Sequence, residues 1–456
     1  MAVVDRTRLA ELLDRERTRF RAEHSGSRAV NRQANHLFGR VPMTWMSKWS
    51  GGFPLALDTA KGNRITDVDG LTYIDFALGD TGAMAGHSPA PTVRAVISRA
   101  ATLGGITTML PTEDAEWVGA ELTRRFGLSQ WSFTLSATDA NRWAIRLARL
   151  VTGKPKLLVF SYCYHGSVDE TFLVVGPDGS PVSRPGNVAP GVDPTQTTRV
   201  VEWNDLAAVE HELAHGDVAV ILAEPALTNI GIVLPEPGFH DALRALATKY
   251  GALLMIDETH TISAGPGGMT ARDALQPDIF VIGKSLGGGI PFGAYGLSEE
   301  VARNVHRHTA TGVADIRDVG GVGGTLAGNA LSLAAVRATL AEVLTDEAFA
   351  NMIRLASQYT LDVKRILDEV DLPWSVTQLG ARAEYRFVRP EPRNGGESAA
   401  AADDELDEYL HLFTLNRGIL MTPFHNMALM CPDTTAADID RHAEVFGDAV
   451  NDLVGR

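Results

Sequence analysis

Ile279-Phe280-Val281-Ile282-Gly283-Lys284-Ser285-Leu286-Gly287-Gly288-Gly289 joins a short apolar run to a glycine-rich turn, with a lysine at the junction. Consecutive apolar residues bounded by turn formers read as a buried strand, which delivers the lysine to its carboxyl end. Upstream, Ala252-Leu253-Leu254-Met255-Ile256 is a second such run, ending in Asp257-Glu258. Phe133-Thr134-Leu135, Leu157 to Phe160 and Val218 to Ala223 are others, and helical segments separate them. Short unbroken strands alternating with helices imply the α/β class, with a mostly parallel sheet covered on both faces. In such sheets ligands gather outside the carboxyl ends of the strands, where Asp257 and Lys284 both stand.

A lysine amine and a carboxylate at neighbouring strand ends suit pyridoxal 5'-phosphate (PLP). The lysine holds the aldehyde, and the carboxylate keeps the pyridine nitrogen protonated. Taken alone, Lys284 also suits an ordinary exposed lysine. Gly283-Lys284-Ser285 is not the end of a P-loop, because that motif needs Gly five residues before Gly283 and Asp278 stands there. PLP also brings a phosphate and a ring. Ser136-Ala137-Thr138-Asp139 opens an amphipathic helix containing Trp143, Ile145, Leu147 and Leu150. Its first-turn amides and hydroxyls form an anion site, and the same residues serve as an N-cap. Tyr162-Cys163-Tyr164-His165-Gly166 follows the next strand, where an aromatic either stacks on a ring or is buried structurally.

The whole chain narrows the partners. It has 456 residues, 45% hydrophobic and 21% charged, the composition of a globular protein with a sizeable core. A formal net charge of −15 argues against nucleic acid, which requires basic excess. Two cysteines, Cys163 and Cys431, imply no disulfide framework and a reducing compartment. No apolar stretch approaches the ~20 residues that span a bilayer. The opening residues lack an apolar signal core, so a cytoplasmic location is expected.

Around the central alternation, residues 5–22 pattern as an amphipathic helix and 41–54 as a loop. Arg64 to Phe76 reads as a hairpin turning at Asp69-Gly70. We expect residues 1–75 to join a small α+β domain, 76–335 to form the large PLP-binding domain and 336–456 to complete the small one. Arg389 to Ser398, rich in Pro and Gly, is expected to be the least ordered part of it.

The order of motifs resembles the class III, fold-type I aminotransferases, in particular the branch that includes glutamate-1-semialdehyde aminomutase. The resemblance runs from about Gly62 to Ala449. It rests on Thr66 to Gly70 with Tyr73-Ile74-Asp75, Gly86-His87, Ser136 to Asp139 with Arg146 to Arg149, and Tyr164-His165-Gly166. Glu224-Pro225, Asp257-Glu258, Gly283-Lys284-Ser285 with Gly287 to Gly289, and Gly324 to Asn329 continue it. The resemblance implies a seven-stranded central sheet in the large domain. It makes Lys284 the cofactor-linked lysine and proton shuttle, and Asp257 the partner of the ring nitrogen. Tyr164, beside His165, stacks on the ring, and Thr259 stands at the other face, where the family usually has Val. Ser136, Ala137 and Thr138 hold the phosphate, Asn229 lies near the phenolic oxygen, and Glu224 is a structural carboxylate. Thr325 reaches the phosphate of a neighbouring subunit, which implies a homodimer with shared sites.

Three departures bear on the substrate. The family stretch Asp-Glu-Val-Met-Thr-Gly-Phe-Arg here reads Asp257-Glu258-Thr259-His260-Thr261-Ile262-Ser263-Ala264. Trp45 stands where aminomutases carry an Arg that grips the substrate carboxylate, and Met427 stands for a Glu near their active-site entrance. Losing such a clamp costs roughly 1.5–3 kcal/mol. The expectation is therefore a ping-pong aminotransferase acting on another amine or amino acid with a carbonyl acceptor. Arg40, Lys48, Arg382 and Arg386 are candidate clamps, and His260 either lines the pocket or tunes Asp257. Intramolecular aminomutase chemistry is the alternative. A remoter one is a zinc protease, because His211-Glu212-Leu213-Ala214-His215 fits H-E-x-x-H, with Glu236 as a conceivable third ligand.

Overall fold

The computed structural model describes residues 4–312 and 314–456. They divide into two compact units. One comprises Ala90–Asp346 with Pro392–Ala400, and the other holds the residues up to Pro89 with Glu347–Glu391 and Ala401–Arg456.

The first unit is built on a seven-stranded sheet. Its spatial order is Gln130–Thr134, Gly293–Leu297, Ile279–Gly283, Leu253–Asp257, Val218–Ala223, Lys156–Phe160 and Thr198–Val201. The pairings are parallel except at Gly293–Leu297, which runs antiparallel to both neighbours. The three strands Val218–Ala223, Leu253–Asp257 and Ile279–Gly283 are almost wholly buried, which explains why they read as unbroken apolar runs. Val220, Ile221, Met255, Ile279 and Val281 form one core with Ile145 and Leu147 of the helix Ala137–Thr152, and with Trp203 and Phe239. Each such side chain contributes about 1.5–3 kcal/mol on burial.

This unit continues past residue 335, because the helix Ala330–Glu342 packs along Ala90–Ile97 and Glu113–Phe126. The segment expected to be least ordered is instead a fitted part of it. Gly395–Ala400 is helical, Arg393 binds Glu236, and Gly396 N donates to Glu202 at 3.2 Å. A Cβ on Gly395 would lie 2.3 Å from the Ser161 carbonyl oxygen, so glycine here permits close approach rather than mobility.

The second unit carries a four-stranded sheet, Leu57–Lys61, Arg64–Asp67, Thr72–Asp75 and Ile419–Leu420. Its hairpin turns through Asp69-Gly70, where Asp67 Oδ1 accepts from the amides of Asp69 and Leu71. A separate antiparallel sheet comprises Ser375–Leu379, Arg382–Arg386 and Met427–Leu429. Helix Arg6–Glu23 starts at its N-cap Asp5 and packs on Asp404–Leu415. The stretch 41–54 forms short 3-10 turns. No helix among the described residues is long and apolar enough to cross a membrane.

Candidate active site

The site grows from two adjacent parallel strands. Their register pairs Asp257 with Val281, so Lys284 emerges just beyond the end of its strand, beside the carboxylate strand. Lys284 is half-buried and has φ +54°, an uncommon conformation for a side-chain-bearing residue. It opens a 3-10 turn that ends at Gly288. Its Nζ lies 2.8 Å from His260 Nε2. The sequence left His260 either lining the pocket or tuning Asp257; the lysine amine is one partner it meets.

Asp257 is buried and gripped from three sides. Asn141 Nδ2 and His165 Nδ1 donate to its Oδ2 at 2.8 and 3.0 Å, and Thr259 N donates to its Oδ1 at 3.0 Å. Burial disfavours charge on both members of the His165–Asp257 pair. It is outweighed at His165 by Cys163 and Asp257, and at Asp257 chiefly by His165, with Thr259 and Asn141 adding to it. His165 is therefore held well above the usual imidazole range, and Asp257 below the usual carboxylate range. Asn141 was not foreseen. It lies one helical turn beyond Ala137 on the same face, and that spacing was its only signal.

The helix Ala137–Thr152 begins beside this pair, capped by Ser136, whose Oγ accepts from Asp139 N at 3.2 Å. The first-turn amides of a helix lack intrahelical partners and attract anions. Three glycines press flat against this turn. A Cβ on Gly283 would lie 3.0 Å from Ala137 N, one on Gly293 2.5 Å from the Ser136 carbonyl, and one on Gly166 2.1 Å from Thr138 Oγ1. Thr138 Oγ1 also accepts from Ser167 N at 3.1 Å, which ties the loop bearing His165 to the helix start.

The remaining expected residues fall around this frame. Tyr164 is half-buried and meets Phe172 edge-on, while its amide donates to Glu224 at 3.2 Å. Glu224 also accepts from Thr228 Oγ1, and burial raises its pKa. It straps the Tyr164 loop to the strand Val218–Ala223. Asn229 is half-buried in a loop closed by the Leu227–Val233 bridge. Thr325 is exposed. Among the described residues, Thr259 Oγ1 and Ser285 Oγ are buried without a hydrogen-bond partner. Orphan hydroxyls beside Asp257 and Lys284, with a glycine-lined helix start nearby, suit a phosphorylated pyridine. The residues fit the group.

A family model described as Aminotransferase class-III matches residues 45–450. The chain belongs to the class III aminotransferases. Members of this family are PLP-dependent enzymes. A protein called glutamate-1-semialdehyde 2,1-aminomutase in Chloroflexus aggregans is 32% identical over 416 residues, covering 88% of this chain and 92% of that one. The crystal structure of a glutamate-1-semialdehyde-aminomutase from Pseudomonas aeruginosa PAO1 is 47% identical. Its TM-score is 0.95, and the match covers 99% of each chain. An omega-transaminase from Sphaerobacter thermophilus is 26% identical with a TM-score of 0.83, covering 94% of this chain and 97% of that one. The class III reading displaces the zinc protease. His211, Glu212 and His215 do offer ligand atoms within 4.8 Å of one another. However, Glu212 is bound by Arg199 at 2.6 Å, Glu236 by Arg393, and the helix Leu206–Leu213 ends before His215.

In the second unit, the candidate clamps differ sharply from one another. Arg382 is fully buried and ion-paired with Glu384 at 3.2 Å, and Arg386 is buried on the same strand. Arg40 and Lys48 are exposed, and Lys48 Nζ lies 5.4 Å from the Phe424 ring centre. Trp45 is exposed and Met427 is buried.

Proposed function

We propose that this enzyme moves an amino group between an amine or amino acid and a separate keto acid or aldehyde, in ping-pong order. The observation that carries the reading is the buried Asp257, held ionised by His165 and Asn141, on the strand next to Lys284. When bound, PLP supplies an electron sink for the substrate carbon that loses its proton. Lys284 would hold the cofactor covalently, then use its freed amine to carry the proton from one substrate carbon to the neighbouring cofactor carbon. Asp257 would keep the proton on the pyridine nitrogen. The Ser136 to Thr138 turn would hold the phosphate, Tyr164 and Thr259 would flank the ring, and Asn229 would face its phenolic oxygen. Two free buried cysteines, Cys163 and Cys431, suit a reducing compartment such as the cytoplasm.

The same reading makes the enzyme a homodimer in which Thr325 completes the phosphate site of the second copy. Its exposure supports this, as do the exposed apolar side chains of Met109, Leu110 and Val319 in the same unit.

Intramolecular transfer on glutamate-1-semialdehyde is a second reading, favoured by the names of the relatives at 47% and 32% identity. Trp45 and Met427, in place of the clamp Arg and the entrance Glu, weigh against it. The deciding experiment follows the visible spectrum while amines and amino acids are added, then traces a 15N label. Release of a carbonyl product, with the label passing to a different molecule, supports intermolecular transfer. Conversion of glutamate-1-semialdehyde alone to its amino-shifted isomer, with no second substrate needed and no separate carbonyl product released, supports the second reading.

A further inference from the structure

We infer that His260 is the docking point that holds the freed Lys284 amine within reach of the reacting carbon. The inference rests on the role proposed above for Lys284. Lysine has a long, rotamer-rich side chain, and an amine released from a covalent bond gains many accessible positions. Lys284 Nζ and His260 Nε2 lie 2.8 Å apart, within hydrogen-bond distance. When the amine is the donor, Nε2 supplies the lone pair and the ring proton sits on Nδ1.

The chemistry of the acceptor matters. A carboxylate in this place would trap the amine as an ammonium ion through charge attraction. A protonated imidazole would repel an ammonium. A neutral imidazole holds the amine and leaves it able to take up or give back a proton. No bond is made or broken in this contact beyond the hydrogen bond.

The contact is set by backbone, not by two loose side chains. Glu258 N donates to Val281 O at 2.9 Å, which locks the start of the His260 loop to the strand that leads to Lys284. The buried Glu258 carboxylate then accepts from Thr261 Oγ1 and from Thr270 N, on either side of that loop. Gly268 permits this wrap, since a Cβ there would sit 2.6 Å from the carboxylate. On the other side, Lys284 at φ +54° and Gly288 at φ +58° fix the turn that projects the amine. Both ends of the contact are therefore held before substrate arrives.

His260 acts through Lys284 and is thus a positioning residue, and its test separates that role from mere packing. In H260F, which keeps an aromatic ring but has no acceptor, kcat should fall about tenfold while KM stays within about threefold. H260Q, whose amide oxygen restores an acceptor, should recover most of kcat. H260N, too short to reach, should behave as H260F and replaces it if H260F does not fold. A second readout needs no bound cofactor. In competitive acetylation of the cofactor-free protein, Lys284 should label about threefold faster in H260F than in wild type, relative to exposed Lys364, and H260Q should match wild type. Borohydride tagging of Lys284 in every variant shows that the underlying role of the lysine is intact. Unchanged kcat and unchanged labelling in H260F, with Lys284 still tagged, overturn the inference alone. A wild-type Lys284 that carries no tag overturns the proposed function, and this inference with it.

Discussion

His165 Nδ1 lies 3.0 Å from Asp257 Oδ2, with both side chains buried. Burial pushes each toward neutrality, but their attraction and the Asn141 hydrogen bond win, so the carboxylate stays ionised. A buried carboxylate held ionised in this way is suited to keeping a proton on a pyridine nitrogen. Asp257→Asn preserves shape and most hydrogen bonds but removes the charge. It should retain bound cofactor near one per chain and lower kcat by about a thousandfold. Absorbance stoichiometry together with turnover checks both halves.

Gly166 has φ +77°, and a Cβ there would stand 2.1 Å from Thr138 Oγ1 and 2.9 Å from Thr138 Cα. Gly166→Ala must therefore push the His165 loop off the helix start. We expect a stability loss of about 2 kcal/mol or more and cofactor affinity weakened at least about tenfold. Thermal melts and cofactor titration would register these separately.

Met109 and Leu110 are 80% and 70% exposed, an apolar pair that water alone does not favour. If the proposed homodimer forms through this pair, changing both to Glu should convert it to monomer by light scattering and lower cofactor retention in parallel. An unchanged dimer would place the interface elsewhere.

Asp407 is half-buried, accepts from Asn426 Nδ2 at 2.7 Å, and is pushed up to about 6, first by burial. The Asn426 hydrogen bond and then Arg386 oppose this shift, while Glu384 and Asp404 add to it. A carboxyl raised in the folded state contributes stability that is complete below its unfolded pKa and is lost as pH rises through about 6. Asp407→Asn should remove that loss, stabilising the protein at pH 8 relative to pH 4 by about 1–3 kcal/mol against wild type. Urea unfolding at the two pH values measures the difference.

Much of the site was legible because its residues sit at strand ends that announce themselves. Val218–Ala223, Leu253–Asp257 and Ile279–Gly283 are apolar on both faces, so their limits show in the sequence. Gly293–Leu297 did not show, since its glycines weaken any strand signal. They are there because a Cβ at Gly293 would strike Ser136 and one at Gly296 would strike Trp131. Thr198–Val201 was hidden by brevity and by Arg199, which points its charge at Asp217 and Glu212. Contacts distant in sequence escaped in the same way. Nothing local says that Asn141 will meet Asp257, that His260 will meet Lys284, or that Arg393 will fasten its Pro- and Gly-rich neighbours to Glu236.

The central claim is a covalent link between one lysine and the cofactor aldehyde. Loading the purified protein with PLP, reducing it with borohydride and mapping the modified peptide by mass spectrometry tests that claim directly. The expected result is a single stable pyridoxyl tag on the peptide containing Lys284, absent in Lys284→Ala. A tag on another lysine, or none on a protein that has taken up the cofactor, would contradict it.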